Sequence, residues 1–121
     1  MDRNLRHEGT IYEDAVIKGL QERGFDLIVR NYNVHRRGEL DAVFERAGHV
    51  YIVEVKARRR STAMPDALDA ITPEKIRRMK RCVPYLVSEY RLYGKNIHFL
   101  AGCVTVNDDG SIQNVQIVPF E

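Results

Sequence analysis

Two periodicities divide the chain. From about residue 6 to residue 23, Val16, Ile17 and Leu20 keep helical spacing, and Gly24 ends the pattern. Residues 26–33, "DLIVRNYN", read as a strand, and residues 38–45 and 50–57 as two more, joined by "RAGH". The polar stretch 58–71 is expected to be a mobile loop. Thr72-Pro73-Glu74 has the form of a helix start, a threonine cap followed by proline in the first turn. Ile76, Met79, Val83, Leu86, Val87 and Tyr90 then recur at helical spacing, and Pro84 is expected to kink that helix or split it near Arg81. Residues 97–106 and 112–118 read as closing strands around the turn "NDDG". Helix, three strands, helix, two strands predicts an α/β fold of one domain, a mixed sheet flanked by helices.

Charged residues interrupt the apolar faces of the two middle strands. Strand side chains alternate, so Glu39, Asp41 and Val43 share one face of the first, and Val50, Ile52, Glu54 and Lys56 one face of the second. If Glu45 pairs with Val50 across the connecting loop, Asp41 falls opposite Glu54, at a Cβ separation of ~4.5–5.5 Å. A slip of one residue would put the two on opposite faces. Facing carboxylates repel unless something compensates. A divalent ion such as magnesium, which takes oxygen ligands, is one compensation; Lys56 is another. A structural salt bridge at the sheet edge also fits this spacing.

On a helical wheel Glu13 lies within about a quarter-turn of Val16, Ile17 and Leu20, which aims it at the sheet. It is either a further acid of the same site or a boundary residue reaching solvent. Lys75, in the first turn of the second helix, stands where an anion is favoured. Arg58, Arg59 and Arg60 leave the strand that bears Glu54 and Lys56, a position suited to phosphate contact as well as to solubility.

Composition narrows the class. The chain has 121 residues, 44% hydrophobic and 30% charged, with a formal net charge of +2, as expected of one globular domain. The bases gather between Glu54 and Arg81, an asymmetry that fits a nucleic-acid face or a solvated helix. No run is apolar enough for a membrane span or a signal peptide, so a cytoplasmic protein without membrane partners is expected. Cys82 and Cys103 are expected to be buried thiols, and the four histidines have no zinc-site spacing.

Taken together, "GTIYEDAVIKGLQERGFDLIVRNYN", "GELDAVFERAGHVYIVEVKARRR", "AITPEKIRRM" and "PYL" resemble, in order and spacing, the YraN family of bacterial proteins within the PD-(D/E)XK, restriction-endonuclease-like superfamily. The resemblance implies an αβββαβ core. It places the superfamily's acids on Asp41 and Glu54, its lysine on Lys56 and the supplementary helix acid on Glu13. The acid that the family usually carries in the strand after the second helix has no counterpart in "HFLAG".

The function implied is a magnesium- or manganese-dependent nuclease hydrolysing phosphodiester bonds in nucleic acid, with DNA the expected substrate. Asp41, Glu54 and the Val55 backbone carbonyl would hold the metal, and Glu13 would act through a water. Lys56 would position the attacking water and stabilise the phosphate, while Arg58, Arg59, Arg60 and Lys75 would hold the flanking backbone. Two alternatives stand beside this: a structure-selective endonuclease of Holliday-junction-resolvase type, acting as a homodimer, and a non-catalytic nucleic-acid-binding accessory protein.

Overall fold

The computed structural model describes residues 2–60 and 71–120. Helix α1 (Asp2–Glu22) precedes strands β1 (Asp26–Val34), β2 (Gly38–Arg46) and β3 (His49–Arg59); helix α2 (Pro73–Tyr90) and strands β4 (Asn96–Val106) and β5 (Ile112–Pro119) follow. The five strands form one sheet in chain order. All pairs are antiparallel except β3 and β4, which run parallel with α2 as their crossover. This is the mixed α/β sheet with flanking helices that the pattern predicts, and it is consistent with a restriction-endonuclease-like core.

Alternation assigns the two faces. Val50 and Ile52 of β3 pack with Met79, Cys82 and Leu86 of α2. Val53, one residue out of phase, packs with Val16, Ile17 and Leu20 of α1. β4 is buried on both sides, as suits a strand between two neighbours under two helices. The helix above it comes close: a Cβ added at Gly102 would lie 2.8 Å from Val16 Cγ1. Across the sheet, a Cβ at Gly38 would lie 3.3 Å from the Arg78 carbonyl oxygen of α2.

The β2–β3 connection is tighter than "RAGH" suggests. Arg46 pairs with His49, and Ala47 (φ 51°) and Gly48 (φ 82°) form a two-residue turn whose positive φ angles match the twist of a hairpin. Thr72 caps α2 as expected, its Oγ1 accepting the Lys75 N–H at 3.1 Å.

Two expectations need correction. α2 is not split: it runs through Pro84 to Tyr90. The proline ring lies on the exposed side, and an unbroken helix keeps Leu86 buried beside Met79 and Cys82. The loop expected over 58–71 begins later, because β3 continues through Arg59 in parallel pairing with β4; residues 61–70 lie outside the described residues. Both cysteines are buried thiols outside any disulfide. Among the described residues no helix is long and apolar enough to cross a membrane.

Candidate active site

The acids meet where the sheet forks. The expected register holds, with Glu45 opposite Val50, but the β2–β3 ladder ends at Ala42 opposite Val53, one pair before Asp41 and Glu54. β2 stays with β1, yet there too the register passes from Arg30–Ala42 to Tyr32–Leu40 and skips Asn31 and Asp41. Asn31 adopts a left-handed conformation (φ 53°), which its short polar side chain tolerates. Leu40 and Val43 both pack under α2, while Ala42 and Phe44 pack under α1, so the alternation of β2 slips at Asp41. Its side chain is turned into the gap beside β3, where Oδ2 accepts the Val55 N–H at 2.8 Å. Asp41 is therefore beside Glu54 without being its ladder partner. A strand residue points its N–H and C=O to the same side, so the Val55 carbonyl also faces the fork.

Glu54 is 1% exposed. Its Oε2 lies 2.6 Å from Lys75 Nζ and 3.5 Å from Lys56 Nζ. Its Oε1 is buried and has no hydrogen-bond partner among the described residues. A buried carboxylate costs several kcal/mol unless paired, and here one oxygen is paired and the other is not.

Electrostatics agree with the crowding. Burial pushes the Asp41 carboxyl up to about 7, with the Glu54 charge as the next cause; the Val55 N–H opposes both and loses. Burial would lower the Lys75 ammonium, but its hydrogen bond and charge contact with Glu54 outweigh this and hold it above the usual lysine value. Gly38, Glu39, Asp41, Lys75, Arg78 and Met79 line a cleft of about 380 Å³ between β2 and α2.

The other expected residues are placed as follows. Glu13 faces the sheet, and its charge adds a little to the upward push on Asp41. Its Oε1, however, is 3.1 Å from Arg30 Nη2, and the same guanidinium holds Asp14 at 2.7 Å. Among the described residues no group of three or more Asp, Glu, His or Cys side chains is arranged to hold a metal ion. Arg58 and Arg59 do not line the acid cleft; with Tyr12 and Val106 they border a separate shallow groove, where Arg59 donates to the Asp108 carbonyl at 3.4 Å. The Arg60 N–H bonds the Val106 carbonyl at 2.7 Å.

Sequence reasoning missed two parts of the site. Lys75 binds Glu54 directly, where a helix-terminus phosphate contact was expected. Arg78 lines the cleft, and its spacing of one helical turn from Lys75 was the available signal.

The two carboxylates suit a hard divalent ion. Both offer oxygen, as does the Val55 carbonyl, and magnesium typically takes one or two carboxylates with water completing its shell. The unpartnered Glu54 Oε1 and the raised Asp41 carboxyl are what such an ion would relieve.

Comparison with known proteins bears on the same region. The model of a family described as uncharacterised, UPF0102, matches residues 12–104. A UPF0102 protein of Syntrophomonas wolfei is 35% identical over 121 residues, 99% of this chain and 100% of the relative. One from Dictyoglomus turgidum is 30% identical over 117 residues, 96% of this chain and 97% of the relative. Another, from Neisseria gonorrhoeae, is 35% identical over 89 residues, 73% of this chain and 76% of the relative.

Proposed function

The chain belongs to the uncharacterised protein family UPF0102, the YraN family, and from that premise we propose that it is a metal-dependent nuclease acting on nucleic acid, with DNA the first substrate to test. The observation that carries this reading is the buried, unpartnered Glu54 Oε1, beside Asp41 at a fork in the sheet and with two lysines on its other oxygen.

Asp41, Glu54 and the Val55 carbonyl would hold magnesium or manganese. When bound, the ion supplies Lewis-acid polarisation of the phosphate and a water of lowered pKa. Lys56 presents an ammonium at the site; as a donor only, it orients a water oxygen or stabilises negative charge on the phosphate. Lys75 and Arg78 border the cleft and hold phosphate oxygens on either side of the reacting one. Glu13, fixed by Arg30, adds a little negative field at Asp41, which would favour a cation. Arg58, Arg59 and Arg60 serve strand backbone farther from the cleft.

The test is a panel of labelled DNA and RNA substrates with magnesium or manganese, beside Glu54→Ala and Lys56→Ala. The wild type cleaves and both variants lose at least ~100-fold, the scale of removing one electrostatic contact to a transition state. Cleavage that survives in both variants points to a contaminant and sinks the assignment.

A second reading has its own observation. Lys75 already places a cation 2.6 Å from Glu54, so the site is partly neutralised without metal, as a non-catalytic nucleic-acid-binding protein would need. Titration calorimetry with manganese separates the two: the nuclease binds the ion and loses it in Asp41→Ala, whereas the accessory protein binds none.

A further inference from the structure

A larger cleft, of about 660 Å³, opens next to the acid site, between the β1–β2 turn and the second half of α2. Its walls include Tyr32, Arg36, Arg37, Tyr85, Ser88 and Glu89. Tyr85 is 43% exposed, whereas Cys82 and Leu86 of the same helix are buried. The Arg37 guanidinium lies 5.2 Å from its ring centroid, and Arg37 Nε donates to the Tyr85 hydroxyl at 2.6 Å. The turn that presents Arg37 is held in an uncommon conformation: Arg36 has φ 62°, and the Arg37 N–H bonds the Val34 carbonyl at 2.9 Å. A positive φ at the third position is one of the conformations of a four-residue turn closed by this hydrogen bond.

The cleft and the acid site are both walled by α2, and their linings meet in the chain at Arg37 and Gly38. Arg78, which lines the acid cleft, and Tyr85 are seven residues apart, two helical turns, so they share a face ~10 Å apart. That is about three stacked nucleotides at ~3.4 Å each. Arg36, Arg37 and Arg78 mark the path with positive charge, Arg78 also lying 3.7 Å from Glu74, while Lys75 at the inner end is paired with Glu54. The acid on the far wall, Glu89, is engaged by the Tyr32 hydroxyl at 3.0 Å. Glu39 and Asp41 lie only at the end nearest the reacting site.

We propose that this cleft binds an unpaired nucleic-acid strand, with the Tyr85 ring and the Arg37 guanidinium stacking a base while Arg36 and Arg78 take the neighbouring phosphates. The choice of ligand rests on the nuclease reading of the acid site. The strand is unpaired because the cleft offers a ring and a guanidinium plane to a base face, and a duplex hides its base faces within its own stack. Aromatic stacking on a basic track tolerates any base, so little sequence preference is expected.

Fluorescence anisotropy in a chelating buffer, where no cleavage occurs, tests this apart from catalysis. The probes are a labelled oligothymidylate about twelve nucleotides long and a duplex of equal length. The wild type binds the single strand more tightly than the duplex. Tyr85→Ala and Arg37→Ala each weaken single-strand binding on the order of tenfold, whereas Tyr85→Phe keeps most of it, since the ring face remains. Lys18→Glu, a charge change of the same sign on the exposed side of α1, leaves binding as it was. Tyr85 and Arg37 are surface residues, and matching circular dichroism spectra verify that their variants fold. Duplex preference, or equal binding by wild type, Tyr85→Ala and Arg37→Ala, overturns the proposal. The two readings fail separately: single-strand binding that depends on Tyr85, with no cleavage under magnesium or manganese, removes the nuclease and leaves the cleft. Cleavage unaffected by Tyr85→Ala does the reverse.

Discussion

At the scale of single residues the site is governed by the placement of two carboxyls. The Asp41 carboxyl is pushed from its ordinary value of 3.8 up to about 7. A carboxyl raised in the folded state binds more protons folded than unfolded between those values. Its contribution to stability is therefore largest in acid and is lost as pH rises from about 4 to about 7. Asp41→Asn keeps an acceptor for the Val55 N–H and removes the titration. The stability of the wild type relative to this variant should fall by up to about 4 kcal/mol between pH 4 and pH 8, measured by urea unfolding at each pH. A difference that stays flat means that neither burial nor Glu54 raises the Asp41 carboxyl. Asp41, Glu54 and Lys56 were legible in the sequence because they break an apolar strand pattern. The Arg30 clamp on Glu13 was not: the partners are 17 positions apart, and the face Arg30 takes depends on an irregularity of β1 between Leu27 and Val29, which no periodicity announces.

At the scale of elements, close packing positions the strands that carry the site. α1 rides on β4 through Val16 against Gly102, with no room for a Cβ between them. Val16 is fully buried and β-branched, so it has little freedom to give way. Gly102→Ala should cost about 1–3 kcal/mol, and Val16→Ala in the same chain should recover part of that loss. Chemical denaturation of the two single variants and the double variant checks the coupling, and strict additivity would mean that the two residues do not press on each other. The strands and the start of α2 were legible within a residue or two, from alternation, the Thr72 cap and the glycine and proline punctuation, whereas α1 begins four residues before its apolar pattern does. What misled was local chemistry without its surroundings. Pro84 signals a break in an isolated helix, but the burial of Leu86 beyond it outweighs one lost hydrogen bond on the exposed side. Residues 58 and 59 look like loop because they are arginines, whereas the parallel partner β4 extends far enough to hold them in the sheet.

At the scale of the whole molecule, the sheet order puts β3 at the centre, between a hairpin partner and a parallel one. Backbone amides of β3 and β4 should exchange with deuterium most slowly, and those of the edge strands β1 and β5 sooner; hydrogen-exchange mass spectrometry reads this, and uniform protection across the sheet would contradict it. The same topology has a consequence for the chain as it is made. β3 ends at Arg59 and β4 at Val106, so at ~5–20 residues per second the open side of β3 waits roughly 2–10 s on the ribosome for its parallel neighbour. During that interval "VYIVEV" is an unpaired, β-prone edge of the kind on which nascent chains aggregate. Glu54, next to its last residue, and Lys56, just beyond it, are then solvated charges, and a charge on or beside such a segment guards it against pairing with a second chain. The acid that is costly to bury in the finished protein thus acts earlier as a gatekeeper of its own strand.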